Sequence, residues 1–288
     1  MYIFEKIKYY KVGCFLGGSM LKQIKKFYET NKTTFIVYFI LRCLVILSML
    51  LQIIHGNFYN AFLCILTLLL FTIPYFVDKE FSIKLPNVLE IIILLFIFSA
   101  EILGEIQNFY GIFEHWDTIL HTINGFLCAA IGFSLVDILN RNENFHIKLS
   151  TAFVALVAFC FSMTVGVLWE FFEFTMDSSF RTDMQKDKLI TSISTIALNP
   201  AKENNPIIID NIKETLIYST DSDNNLYVTS IKGGYLDIGL IDTMKDLLVN
   251  FVGAVTFSII GILYIKGRDQ YNIAEKFIPY IQKNRSGP

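Results

Sequence analysis

The stretch STAFVALVAFCFSMTVGVLWEFFEF, residues 150–174, decides the fold class of this chain. It carries no charge before Glu170 and is long enough for a helix to cross a bilayer, which takes about 20 predominantly apolar residues. Glu170 and Glu173 share one helix face with Gly166 and Asp177, because residues three or four apart lie on the same side of a helix. Ionisable side chains inside a membrane are costly and are therefore functional candidates. The stretch predicts a membrane-spanning helix that carries carboxylates to one membrane surface.

The composition of the whole chain also indicates a membrane protein. Of its 288 residues, 53% are hydrophobic and only 17% are charged, and the mean hydropathy is +0.50. The charges cluster between apolar blocks, which is typical of a protein that crosses the membrane several times. A net charge of −2 gives no case for nucleic acid as a partner. The five cysteines form no disulfide framework and are interpreted as small hydrophobic residues.

Six apolar stretches are long enough to span a bilayer. They are continuous rather than alternating, which favours helices over the strands of a membrane β-barrel. We therefore predict an all-α protein with five transmembrane helices within residues 34–176 and a sixth after a long loop, 177–241. The predicted spans are residues 34–54, 58–77, 88–109, 117–138, 150–172 and 242–265.

Lysine and arginine are concentrated on one side of this arrangement. The segment 1–33, the tail 266–288 and the connections 78–87 and 139–149 are all basic or carry basic residues. By the positive-inside rule, both termini are expected in the cytoplasm. The segment 1–33 lacks a small-residue cleavage site, so an interfacial amphipathic helix is expected there rather than a secretory signal.

Four of the predicted helices bring polar residues to the outer end of the membrane. In each helix these residues are spaced three or four apart and therefore share a face. They are Glu101 and Glu105 in the third helix, Asp117, His121 and Asn124 in the fourth, Glu170 and Glu173 in the fifth, and Asp242, Asp246 and Asn250 in the sixth. The shared location predicts one polar site.

Several carboxylates with one imidazole suit a divalent metal ion. Mg²⁺, Mn²⁺ or Ca²⁺ would use the oxygens, and Zn²⁺ becomes suitable if His121 binds directly. The predicted metal ligands are Asp117, His121, Glu170, Asp242 and Asp246, with Glu101, Glu105, Asn124 and Asn250 as further polar residues of the site. Without a metal, several of these acids would have to be protonated or to face water.

Each residue of this predicted site also has a simpler interpretation. A carboxylate at the end of a membrane helix often extends into the water and has no further role, and this interpretation applies above all to Glu101, Glu114 and Asp177. Asp242 fits a plain helix cap, and His121 fits a structural histidine. The coincidence across four helices nevertheless favours a shared site.

Several motifs resemble the YjdF-like family of bacterial inner-membrane proteins. They are Leu-Gly-Glu at 103–105, Trp-Asp-Thr-Ile-Leu-His at 116–121 with Gly125-Phe126, Trp-Glu-Phe-Phe-Glu-Phe at 169–174 and Gly-Leu-Ile-Asp-Thr-Met-Lys-Asp-Leu at 239–247. A fainter similarity reaches the VanZ-like proteins, which are associated with glycopeptide tolerance and also pair an Asp-x3-His helix start with an Asp-x3-Asp-x3-Asn helix. The resemblance implies a multi-pass protein of the bacterial inner membrane. It implies no activity, because the YjdF-like family is uncharacterised.

The loop before the sixth helix departs from the family pattern. Family members pass quickly from the Asp-Met-Gln region, residues 183–185, to the sixth helix, whereas this chain inserts residues 188–238. Apolar runs on either side of the polar turn 221–225 predict a β-hairpin. A lid or partner-docking module and a passive surface insertion are both open interpretations.

Three functions fit these features. The favoured one is a metal-dependent hydrolase or transferase that acts on an envelope lipid or lipid-linked phosphate at the outer leaflet, with Glu170 or Glu173 as general base. The second is a non-catalytic protein whose polar cluster holds the helices together and which presents the insert 188–238 to an envelope partner. The third is cation- or proton-coupled transport, which calls for polar residues near the bilayer midplane that are largely missing here.

Overall fold

The structure, a computed structural model, describes residues 32–81, 83–141, 149–267, 277–278 and 280–281. The segment 1–33 and the tail 266–288, with the interfacial helix that the sequence predicts, lie almost wholly outside these residues. The chain divides into two compact units. Unit 1 comprises residues up to Trp116, residues 134–148 and the part from Leu263 onward, and unit 2 comprises Asp117–Phe133 and Leu149–Ile262.

The described chain is mostly helical. Its α-helices are α1 (Lys32–Ile54), α2 (Phe58–Leu70), α3 (Ile73–Phe81), α4 (Asn87–Phe98), α5 (Phe109–Ile112), α6 (Trp116–Arg141), α7 (Thr151–Phe180) and α8 (Leu240–Lys266). A π-helical segment, Ser99–Ile106, continues α4 directly. The helical content agrees with the fold class that the sequence predicts.

Five helical stretches in the described ranges are long and apolar enough to cross a membrane. They are Lys32–Ile54, Phe58–Asp78, Trp116–Asp137, Thr151–Phe180 and Leu240–Lys266. These stretches correspond to five of the six predicted spans and make the chain a polytopic membrane protein. The remaining predicted span, 88–109, consists of α4, the π-helical segment and the start of α5. Its crossing of the membrane stays a prediction.

Unit 1 has its core between α1, α2 and α4. Val45, Cys64 and Leu89 are completely buried there. The Tyr38 hydroxyl donates a hydrogen bond to the Phe71 carbonyl at 3.0 Å. The Arg42 guanidinium lies 4.2 Å from the centre of the Tyr38 ring. This cation–π contact offsets part of the cost of an arginine within an apolar helix.

Unit 2 is built on a close approach of α6 and α8. A Cβ on Gly125 would lie 2.1 Å from the carbonyl oxygen of Asn250, and a Cβ on Gly253 would lie 2.1 Å from that of Thr122. Only glycine permits such an approach, which is typical of helix interfaces in membranes. α7 joins the same core, since the Ser162 hydroxyl donates to the Gly125 carbonyl at 2.7 Å.

The insert between α7 and α8 consists of short antiparallel strand pairs. The strands are β2 (Leu189–Ile190), β3 (Ile193–Thr195), β4 (Ile207–Ile209), β5 (Glu214–Thr220), β6 (Leu226–Lys232) and β7 (Tyr235–Leu236). β2 pairs with β7, β3 with β4, and β5 with β6. In unit 1, β1 (Ile83–Lys84) pairs with β8 (Tyr280–Ile281). The β5–β6 pair runs in register from Glu214↔Lys232 to Thr220↔Leu226 around the turn 221–225.

Candidate functional site

Three helices of unit 2 carry the charged residues of the candidate site. Asp117 lies in the first turn of α6, and His121 follows one turn later on the same face. Asp242 and Asp246 have the same spacing at the start of α8. Glu170 and Glu173 lie on α7, and both are buried. The common spacing of three or four residues aims each pair toward one side of its helix.

Asp117, His121 and Asp246 form the centre of the cluster. One potential ligand atom from each residue lies within 4.8 Å of the other two. The His121 Nε2 atom is 3.4 Å from the Asp117 Oδ1 atom. On the other edge of the ring, Nδ1 is 3.9 Å from the Glu170 Oε1 atom. The imidazole therefore lies between two carboxylates that come from different helices.

The cluster contains buried carboxylate oxygens without hydrogen-bond donors. Glu170 is 4% exposed and Asp246 is 2% exposed. Neither Glu170 oxygen, nor the Oδ1 atom of Asp246, accepts a hydrogen bond from any described residue. Leaving such atoms unpaired costs on the order of 1–3 kcal/mol each, and more when the group is charged. The cluster therefore places several carboxylates around one imidazole, and three of their oxygens have no hydrogen-bond donor among the described residues.

Glu173 is buried on the same helix but has a different partner. The indole N–H of Trp169, one turn earlier, donates to the Glu173 Oε1 atom at 2.8 Å. This bond fixes one oxygen of the carboxylate. Glu173 thus has a hydrogen-bond donor for one oxygen, whereas neither oxygen of Glu170 has one among the described residues.

Asp242 is held by the start of the insert. The Lys186 backbone N–H donates to its Oδ2 atom at 2.9 Å, and the Lys188 ammonium lies 3.3 Å from its Oδ1 atom. Both oxygens therefore face cationic or donating groups. The prediction that Asp242 binds a metal stays untested, while its partners give it a role in anchoring the insert.

The segment 181–188 follows α7, and side-chain hydrogen bonds hold it against the end of α7 and the start of α8. Asp177 accepts from the backbone N–H groups of Met184 and Gln185, at 2.7 and 2.8 Å. The Gln185 amide in turn donates to the Thr243 hydroxyl at 2.6 Å. Asp177 therefore holds the turn after α7.

Asn250, one helical turn after Asp246 on α8, forms hydrogen bonds to both α6 and α7. It is completely buried. Its side-chain oxygen accepts from the Asn124 amide at 3.3 Å, and its amide donates to the Ser162 carbonyl at 3.5 Å. Gly166 makes room for it, since a Cβ there would lie 2.7 Å from the Asn250 Nδ2 atom. The predicted polar residues Asn124 and Asn250 thus meet in the helix core.

Glu101 and Glu105 belong to unit 1 and lie on the π-helical segment. Their predicted membership of the site stays a prediction. π-helical turns are rare and often occur at functional positions. The segment is closed by the Gln107 N–H, which donates to the Ile102 carbonyl at 3.0 Å.

Asp237 is a structural residue that the sequence pattern did not single out. It is buried and accepts from the backbone N–H groups of Lys188 at 2.8 Å, Ile241 at 2.6 Å and Gly239 at 3.3 Å. Burial by itself raises the pKa of Asp237, but these three N–H groups outweigh it and lower the pKa. An acidic residue followed by Gly239 just before an apolar run was the available signal for a helix start.

The fold and the cluster define a multi-pass helical membrane protein with a buried carboxylate–histidine site. Residues 36–267 match the family model described as "Predicted membrane protein (DUF2238)", and the chain therefore belongs to this family, which is the YjdF family. The resemblance seen in the motifs is thus confirmed for the YjdF-like proteins. The fainter similarity to VanZ-like proteins stays a prediction.

One curated relative gives a further comparison. An uncharacterized protein of Thermotoga maritima is 31% identical over 104 residues, which cover 36% of this chain and 52% of that protein. The chain therefore matches about half the length of this relative. No solved structure matches the chain.

Proposed function

We propose that unit 2 binds a divalent cation between Asp117, His121 and Asp246, and that the protein acts on an envelope lipid or lipid-linked phosphate. The observation that carries the proposal is a buried oxygen of Asp246 that has no hydrogen-bond partner within the described ranges and lies next to an imidazole and a second aspartate. A cation there would bind this oxygen and offset the repulsion between the neighbouring carboxylates. Two carboxylates and one imidazole form a recognised ligand set for divalent metals.

A cation in this position would polarise a phosphoryl oxygen of the substrate. Glu173 is the carboxylate that remains for a general base, because Trp169 orients it through one oxygen and leaves the other to accept a proton. Asp242 and Lys188 would keep the start of α8 in place at the edge of the site. Substrate would enter from the membrane, where the envelope lipid resides.

The proposal includes the topology that the sequence predicts. It takes 88–109 as a sixth span, places both termini in the cytoplasm of a bacterium and directs the cluster toward the outer leaflet of the inner membrane. The insert 188–238 would then lie outside the cytoplasm, where a protein partner of the envelope can reach it.

The test is metal content and phosphate release. Detergent-purified wild-type protein, prepared without chelator, is expected to carry one equivalent of metal and to gain thermal stability with added cation, by about 2.7 kcal/mol at a hundredfold excess over Kd. Asp246→Asn should lose both effects. Asp223→Asn, the same change on the exposed turn 221–225, is the control. Metal-loaded protein should release phosphate from a polyprenyl diphosphate or a phosphatidate in mixed micelles, and Glu173→Gln should keep the metal but not this release.

Two outcomes would contradict the proposal. If wild-type protein neither contains metal nor responds to Mg²⁺, Mn²⁺, Ca²⁺ or Zn²⁺, the cation site is wrong. If it binds metal but releases no phosphate from either lipid, the enzymatic part is wrong.

The second candidate function is a non-catalytic one, in which the polar cluster holds the helices together. The contacts of Asn250 favour it. This side chain already joins α6, α7 and α8 through polar contacts in a membrane core. A cation above it would add a second tie between α6 and α8. Under this function, Asp246→Asn lowers the thermal stability of the protein, whereas Glu173→Gln has no effect in any assay.

A further inference from the structure

The two ring nitrogens of His121 face different carboxylates. Nε2 faces Asp117 at 3.4 Å, on the side of the three-residue cluster, and Nδ1 faces Glu170 at 3.9 Å. A neutral imidazole carries one N–H and one free nitrogen, so only one ring nitrogen can bind a cation while the other donates a hydrogen bond. The position of the three cluster residues makes Nε2 the binding atom and Nδ1 the donor.

Glu170 is suited to accept that hydrogen bond. Its carboxylate is buried, and neither oxygen has a hydrogen-bond donor among the described residues. The side chains of Gln185 and Thr243 also lie close to Glu170; the Thr243 hydroxyl accepts from the Gln185 amide and keeps its own hydrogen to donate. The distance from Nδ1 to Oε1 is about 1 Å longer than a hydrogen bond, so Glu170 would have to turn toward the ring to accept the N–H.

We propose that Glu170 is a positioning residue: it holds the His121 ring with Nε2 toward the cation and so makes the site select a first-row transition metal over Mg²⁺ or Ca²⁺. The inference rests on the cation site proposed above and assigns Glu170 a role other than metal ligand or base. Metal-binding histidines commonly donate their second N–H to a carboxylate, which fixes the ring and raises its basicity. Imidazole favours Zn²⁺, Fe²⁺ and Ni²⁺, whereas Mg²⁺ and Ca²⁺ prefer oxygen ligands.

The experiment compares the affinities of purified protein for Zn²⁺ and for Mg²⁺ by calorimetric titration in detergent. Wild-type protein should bind Zn²⁺ more tightly. Glu170→Ala should lower the Zn²⁺ affinity by about 10- to 100-fold, the usual cost of losing such a partner, and leave the Mg²⁺ affinity unchanged. Glu170→Gln keeps an oxygen opposite Nδ1 and should restore most of the Zn²⁺ affinity.

Glu173→Gln is the matched control, because Glu173 lies one turn along the same helix, is also buried and bonds to Trp169 instead. It should leave both affinities near the wild-type values. Thermal unfolding of each metal-free variant shows whether its fold is intact.

Each outcome separates the inference from the proposed function. No binding of either metal to wild-type protein contradicts the cation site itself. Wild-type binding with an equal loss of Zn²⁺ and Mg²⁺ affinity in both Glu170 variants would make Glu170 a ligand and overturn the inference. Unchanged Zn²⁺ affinity in folded Glu170→Ala would overturn it as well.

Discussion

Single residues decide how closely the helices of unit 2 approach. Gly125 and Gly253 face the backbone of the opposite helix, with room for a hydrogen atom but not for a methyl group. Backbone atoms cannot rotate away as a side chain can. The same close approach brings Asp246 on α8 beside Asp117 and His121 on α6. The glycines therefore support the site without any chemical role.

Gly125→Ala should destabilise the protein. The added methyl group would lie 2.1 Å from the Asn250 carbonyl oxygen, so the helices must move apart. Overpacking of this kind costs about 1–3 kcal/mol or more. Thermal unfolding in detergent measures the effect. Gly111→Ala is the control, since the added group there meets only the end of the Asn108 side chain. An equal drop in Tm for both variants would contradict the role of the close approach.

At the scale of elements, the insert is attached to the helices through a narrow neck. The neck consists of residues 186–190 and 235–237, where β2 and β7 pair. The Asp237 backbone N–H donates to the Lys188 carbonyl, and the Lys188 backbone N–H donates to the Asp237 carboxylate. Lys188 also reaches Asp242 at the start of α8. The insert and the cluster therefore share the first turn of one helix.

Asp237 should make the stability of this neck depend on pH. The pKa of its carboxyl is lowered in the folded protein, because backbone N–H groups outweigh the effect of burial. Its contribution is therefore fully present above the ordinary aspartate pKa of about 3.9, and it is lost as the pH falls through the lowered value.

The measurement is the difference in Tm between wild-type protein and Asp237→Asn at several pH values. Asparagine has no carboxylate to protonate, and its NH₂ group would oppose one of the backbone donors. The difference should be largest at pH 7 and should shrink below pH 4. A difference that stays constant from pH 7 to pH 3 would show that the charge of Asp237 does not stabilise the neck.

At the scale of the whole molecule, the number of membrane crossings depends on one segment. Five stretches qualify by length and composition, and 88–109 is divided into α4, the π-helical segment and α5. If this segment crosses, the connection 78–87 and the insert lie on opposite sides of the membrane. If it does not cross, they lie on the same side.

Single cysteines at Lys84 and Ser222, introduced separately into a cysteine-free variant, distinguish the two topologies. With six spans, a membrane-impermeant maleimide should label Ser222→Cys in intact cells and Lys84→Cys only after permeabilisation. The same result at both positions, whether both are labelled in intact cells or both only after permeabilisation, would mean that 88–109 does not cross. Both variants need equal labelling after permeabilisation as a control for reactivity.

The sequence alone established the protein class and the positions of the acids. The length of an apolar stretch and the spacing of residues on a helix are local properties, so 150–174 already shows a membrane-spanning helix with Glu170 and Glu173 on one face. The same argument selected Asp117, His121 and Asp246, the three residues that lie together, although their role in binding a metal stays a prediction.

Only the tertiary structure decided which partner each acid has. Asp242 and Asp246 look equivalent in the sequence, yet Lys188 of the insert faces Asp242, while one oxygen of Asp246 has no hydrogen-bond partner in the described part of the chain. Glu170 and Glu173 likewise differ, because Trp169 bonds to one and His121 faces the other. Trp169 lies four residues before Glu173 on the same helix, so spacing permits that bond and the side-chain rotamers decide it. His121 comes from α6 and Lys188 from the insert, and these contacts depend on how the elements pack, which spacing along one helix does not contain.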